Sequence, residues 1–214
     1  MKFDKGVAKK YRQSVEDAFQ TILEKGNEHH RRSARLILDS DMLVCVHPVK
    51  MVNASGISGV INPPATNDKI ASERLSLREA LGEVFVTIAE ETIDTGFQRG
   101  CEGTFVHENQ HALDYAQVIE SFSNADVNPL SVFNPNLYEM EWAAHIAAGE
   151  YMIQIGRQEY LAEGLNLMIL GREGDGRCFV DHDGIRRRLR ESYNLELGVN
   201  VGASASEMGR LVQR

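Results

Sequence analysis

Cysteine is scarce in this chain: three in 214 residues, Cys45, Cys101 and Cys178, odd in number and far apart. A disulfide framework and a four-cysteine zinc site are thereby excluded, and a reducing compartment is the default. Long apolar runs are also missing. None approaches the roughly 20 residues that a membrane-spanning helix needs. The first nineteen residues, MKFDKGVAKKYRQSVEDAF, have lysines but no apolar core behind them, so no secretory signal is expected and a cytoplasmic location follows. Excess positive charge is lacking too. The net charge of −8 argues against general affinity for nucleic acid. It is unevenly spread: residues 1–35 hold nine Lys/Arg and five Asp/Glu, net +4, leaving 14 against 26, net −12, in the remainder. The basic stretch reads as a solvated helix face.

What is present is ordinary for a globular protein: 43% hydrophobic and 25% charged residues. Apolar residues at Val7, Tyr11, Val15, Ala18, Phe19, Ile22 and Leu23 recur at helical steps, and Gly26 divides the helical segment 1–36. HHRR at 29–32 is expected to face water. MLVCVHPV (42–49) is rich in β-formers, with Pro48 restricting it to an end or an edge. Glycines and a Pro-Pro pair make 52–69 a loop or loose hairpin, and Val84, Val86 and Ile88 alternate as in a half-buried strand. Two long helical periods follow, one from an N-cap at Thr104 and one from Leu137. A turn-rich loop spans 123–136 between them. A third helix is expected near 159–170, a loop over 171–184 with a turn at DHDG, a short helix from Ile185, and a partly mobile Gly/Ser/Ala-rich tail. The expected fold is α+β over 1–214 as one domain. A helical segment (1–36) leads into a small sheet and a central helix (37–123), then a mainly helical part (124–214).

The central helix carries HENQH at 107–111. Positions i and i+4 lie on one helix face about one turn apart, so His107 and His111 can turn their imidazoles toward one metal ion. Glu108, about 100° round the helix, can reach a water on that metal without being a ligand. The spacing thus supplies two neutral ligands and a general base, with zinc acidifying the water. A hydrolytic zinc needs a third protein ligand. The metzincin pattern would place Gly and then His or Asp at positions occupied here by Asp114 and Gln117, so that route fails. The following helix, LYEMEWAAHIAAGEYM, offers Glu139, Glu141, His145 and Glu150. Glu141 and His145 form an i, i+4 polar stripe among alanines that permit close helix approach.

HENQH followed by Glu141-Trp-Ala-Ala-His145 resembles the gluzincins, the thermolysin-like zinc peptidases. The string HENQHALDYA is similar to the active-site helix of lethal-factor-like bacterial metallopeptidases and, in its H-A-x-D part, of neprilysin-like enzymes. The similarity covers residues 104–152. The resemblance implies a zincin-like fold, peptide or protein substrates, Zn2+ held by His107, His111 and Glu141, and Glu108 as general base. Glu139 or Glu150 could replace Glu141. In the family an Asp stands four residues after the ligand Glu; here it is His145. Asp114, one turn beyond His111, is a second candidate to orient a ligand imidazole. For the donor to a developing oxyanion the order of preference is Tyr138, Tyr151, His182. Two rivals remain: a catalytically degenerate or latent zinc-binding module that acts through protein–protein binding, and a metal-free helical interaction protein.

Overall fold

The computed structural model describes residues 1–95, 100–124 and 132–198. The expected tail after Leu195 and the middle of the 123–136 loop fall largely outside these residues. The fold is mixed α+β, with a small mixed sheet and a helical second half. In chain order the elements begin β1 (Lys2–Phe3), α1 (Lys9–Lys25), α2 (Glu28–Leu38), β2 (Leu43–His47), α3 (Val49–Val52) and β3 (Gly56–Val60). They continue with α4 (Pro63–Ser72), α5 (Leu77–Leu81), β4 (Val84–Ala89), α6 (Glu90–Asp94), α7 (Gly100–Ser123) and α8 (Leu137–Ile155). The last are α9 (Gln158–Asn166), β5 (Leu170–Arg172), β6 (Cys178–Val180) and α10 (His182–Tyr193). Among the described residues no helix is long and apolar enough to cross a membrane.

The main sheet has the order β1-β2-β4-β3. β1, β2 and β4 run parallel, and β3 is an antiparallel edge. Side chains alternate across a strand, and the register sets Val44 beside Val86 and Val46 beside Ile88. These residues are buried together with Phe105, Ala112 and Ile119 of α7 in one apolar cluster. That shared face is where α7 meets β3 and β4. α1 packs on the same helix, with the Phe19 and Phe105 rings 5.2 Å apart. α8 lies along α7, and α9 and α10 pack on α8.

Several elements depart from expectation. The glycine-rich stretch 52–69 contains an ordered strand, β3, and a helix, α4, that Asn62 caps by accepting from Ala65 N–H. α7 begins at Gly100, so Thr104 is a buried residue inside the helix and not its cap. Residues 171–184 hold a short hairpin, β5–β6, and the start of α10. Asp181 of DHDG caps α10, accepting from Gly184 N–H at 2.9 Å. Pro48 follows β2 directly, which leaves β2 free to be an inner strand.

HHRR does not face water as a unit. Gly26 separates α1 from α2, and a Cβ there would lie 2.6 Å from the Ile22 carbonyl oxygen and 2.8 Å from His30 Cβ. His30 stands at the third position of α2 in a capping box with Asn27. Its Nδ1 accepts from Asn27 N–H at 3.2 Å, and its Nε2 lies 3.0 Å from the Ala147 carbonyl of α8. The ring is buried and packs edge-on against Tyr151.

Candidate metal centre

α7 presents His107, His111 and Tyr115 at successive four-residue steps, one face of one helix. α8 lies against it and delivers Glu141. The ligand-type atoms of His107, His111 and Glu141 lie within 4.8 Å of one another, a group that could hold a metal ion. The two Nε2 atoms are 3.2 Å apart. The Glu141 carboxylate oxygens stand 3.6 Å from His107 Nε2 and 3.5 Å from His111 Nε2. A tetrahedral ion about 2.0–2.1 Å from each ligand needs ligand atoms roughly 3.3–3.4 Å apart. The two Glu141 distances are to different oxygens, Oε2 and Oε1, so the carboxylate faces both imidazoles across a gap close to that edge, and two nitrogens with one carboxylate are a donor set that fits such an ion. A second observation agrees: Glu141 Oε2 is shut off from solvent and accepts no hydrogen bond among the described residues.

The charge states reflect the crowding of the three groups. Burial depresses the pKa of His107, outweighing the pull of Glu141. For His111 burial acts the same way, but the Glu141 carboxylate overcomes it and raises the pKa to about 9. For Glu141 burial would raise the pKa, yet the two imidazoles hold it well below the usual carboxylate range.

Glu108 sits beside the cluster on the cavity wall. β3 packs over it closely. Ser58 Oγ donates to Glu108 Oε2 at 3.0 Å. At Gly56 a Cβ would meet Glu108 Cγ at 2.8 Å, so glycine is what lets the strand approach. A cavity of about 300 Å³ opens here. Its lining joins His107, Glu108, His111 and Glu141 to β3, and to Tyr115, Glu163, Arg188 and Tyr193.

The other carboxylates proposed for the third ligand are engaged elsewhere. Glu139 closes a capping box, its Oε2 accepting from Asn136 N–H at 2.8 Å. Glu150 accepts from Asn27 Nδ2 at 3.0 Å. His145 is fully buried against the cluster: its ring lies 4.9 Å from that of His107, and its Nε2 is 3.9 Å from Glu141 Oε2. Asp114 does not hydrogen-bond a ligand imidazole. Its Oδ1 accepts from Gln110 Nε2 at 2.9 Å, and burial raises its pKa to about 6.

None of the three oxyanion candidates lines the cavity. Tyr138 stacks on Trp142, one turn along the same helix, with ring centroids 6.0 Å apart. Trp142 in turn stacks on His182 of α10 at 5.5 Å. Tyr151 is buried against His30. The cavity tyrosines are Tyr115 and Tyr193. Tyr115 was legible as the residue four after His111. Tyr193, Ser58 and Arg188 had no signal in linear spacing.

No protein-family model, no curated protein and no solved structure matches this chain.

Proposed function

We propose that the chain is a zinc-dependent peptidase with a zincin-like fold, in which His107, His111 and Glu141 hold the metal and Glu108 is the general base. The observation that carries this reading is the convergence of two imidazoles and a carboxylate at separations of 3.2–3.6 Å beside an open cavity. Two nitrogens and one oxygen favour zinc over harder cations. Bound there, zinc would supply a Lewis acid and bring the pKa of a water toward ~7.

The remaining work falls to the chain's own groups. Ser58 holds Oε2 of Glu108 by donating to it, which leaves Oε1 to take a proton from water and return it to the departing amine. Gly56, by lacking a side chain, keeps the space that this carboxylate occupies. Burial of Glu108 and both histidines limits competing solvent. Tyr115 and Tyr193 are the tyrosines that line the cavity, and we assign them as the candidates to donate to a developing oxyanion.

The test is metal content and cleavage together. Protein purified without chelator is expected to contain one zinc per chain and to cut peptides from a proteome-derived library. Glu108→Gln is expected to keep the zinc and lose the cutting. A folded protein that neither contains nor takes up zinc would overturn the reading.

One observation favours a zinc-binding module without catalysis. His107 Nδ1 is buried with no hydrogen-bond partner among the described residues, whereas a ligand imidazole is normally oriented by an acceptor on its outer nitrogen. Zinc uptake with no cleavage of the library by the unsubstituted protein would select this second reading.

A further inference from the structure

α10 brings a cation to the wall of the metal cavity. Its sequence, IRRRLRESY, holds four arginines. Two serve the surface: Arg186 pairs with Asp183 at 2.7 Å and Arg190 reaches Glu191 at 4.0 Å. Arg188 differs. It is half-buried and lines the cavity with His107, Glu108, His111 and Glu141. Its guanidinium carbon lies 5.5 Å from the ring centre of Tyr193, another lining residue. Its Nε is shut off from solvent and donates to no acceptor among the described residues.

A guanidinium is always charged and presents its donors in a planar fork matched to a carboxylate. Water does not reach Nε, so a carboxylate in the cavity would be met by the terminal Nη groups of the fork, with the Tyr193 ring beside the guanidinium. Glu163, the other carboxylate in the lining outside the metal cluster, already has an interaction of its own. We infer that Arg188 selects peptides carrying a carboxylate near the bond at the metal centre, either an Asp or Glu side chain or a free C-terminus. This rests on the cavity being a peptide site. It adds the chemical class that the cavity prefers.

Retention and cleavage test this separately. Zinc-loaded Glu108→Gln protein is immobilised and exposed to four pools of random decapeptides. One pool is unrestricted, one is amidated at the C-terminus, one lacks Asp and Glu, and one has both changes and so carries no carboxylate. Retention is expected from the first pool and not from the last. The middle two tell a side-chain carboxylate from a terminal one.

Adding Arg188→Gln is expected to lower retention of carboxylate peptides at least tenfold, with zinc content and melting temperature unchanged. Arg188→Lys should recover part of it, since charge returns without the fork. Equal retention of the carboxylate-free pool, no retention of any pool, or retention indifferent to a folded Arg188→Gln would each overturn the inference. If Arg188→Gln does not fold, the pool comparison in the Arg188 background decides alone. Cleavage of the same pools by the unsubstituted protein judges the peptidase reading. Cutting without carboxylate preference removes only the role of Arg188; carboxylate-dependent retention without cutting removes only hydrolysis.

Discussion

Ser58 Oγ donates to Glu108 Oε2 at 3.0 Å, tying the edge strand β3 to the helix that carries both histidines. The hydroxyl fixes one carboxylate oxygen and thereby the direction of the other. Hydrogen bonds to charged groups contribute about 1.5–3 kcal/mol, and about 1.4 kcal/mol is tenfold in rate. Ser58→Ala is therefore expected to lower kcat roughly tenfold or more on a cleaved peptide. Zinc stoichiometry should not change, because the Ser58 hydroxyl donates to Glu108, which is not one of the three ligand-type residues. Steady-state kinetics with metal analysis on the same samples check this.

The three glutamates of α8 have separable roles. Glu141→Ala is expected to abolish zinc binding, as are His107→Ala and His111→Ala. Glu139→Ala breaks the capping box at Asn136 and should cost about 1 kcal/mol of stability, with zinc retained. Glu150→Gln should retain zinc with little change in stability. For the unsubstituted protein, zinc at about 100 times its Kd should add about 2.7 kcal/mol. In a chain of this size that is roughly 5–10 °C in Tm, reversed by chelator and absent in Glu141→Ala. Calorimetry with and without zinc measures both effects.

Periodicity and side-chain direction were unequally legible in the sequence. α7 and α8 follow from apolar spacing, and the histidine face follows from 3.6 residues per turn. The pattern offered three carboxylates on α8, and the resemblance to gluzincins preferred Glu141, the one that the structure brings to that face. β3 was hidden because GISGV is two-fifths glycine, and what makes it a strand is pairing with β4, a tertiary effect. β5 and β6 have three residues each, too short for alternation to register. Tyr138 shows a further limit: it lies one turn before Trp142 and its ring stacks on that indole, a contact that spacing along the chain does not announce.

His30 makes stability depend on pH. Its Nδ1 accepts from Asn27 N–H, so the ring proton sits on Nε2 and is donated to the Ala147 carbonyl. Burial lowers its pKa from 6.5 to about 4. A second proton would also face the Asn27 N–H. Between these values the unfolded chain binds the proton and the folded one does not, so stability is lost as pH falls from about 6.5 toward 4. At pH 4.5 the loss due to this group is roughly 2–3 kcal/mol relative to pH 7. Gln at this position can accept and donate in the same directions without titrating. Urea unfolding of metal-free protein at pH 7 and 4.5 should show the smaller pH loss in His30→Gln by that amount. Equal losses in both proteins would show that His30 is not the group responsible.

Gly56 gives the sharpest contrast between folding and catalysis. A Cβ at this position would lie 2.8 Å from Glu108 Cγ and 3.0 Å from its Oε1. The Glu108 side chain is buried and hydrogen-bonded by Ser58, so it cannot swing clear without giving up that bond. Overpacking of this kind costs about 1–3 kcal/mol. Gly56→Ala is thus expected to lower stability by that amount and to reduce kcat more than Ser58→Ala does, because it displaces the carboxylate and does not merely loosen it. The His107, His111 and Glu141 cluster, built on α7 and α8, should still take up zinc. In Gly56→Ala/Ser58→Ala the two losses should not add, since both act on the position of one side chain. Additive losses in kcat across that double-mutant cycle would mean that the two residues act on different groups.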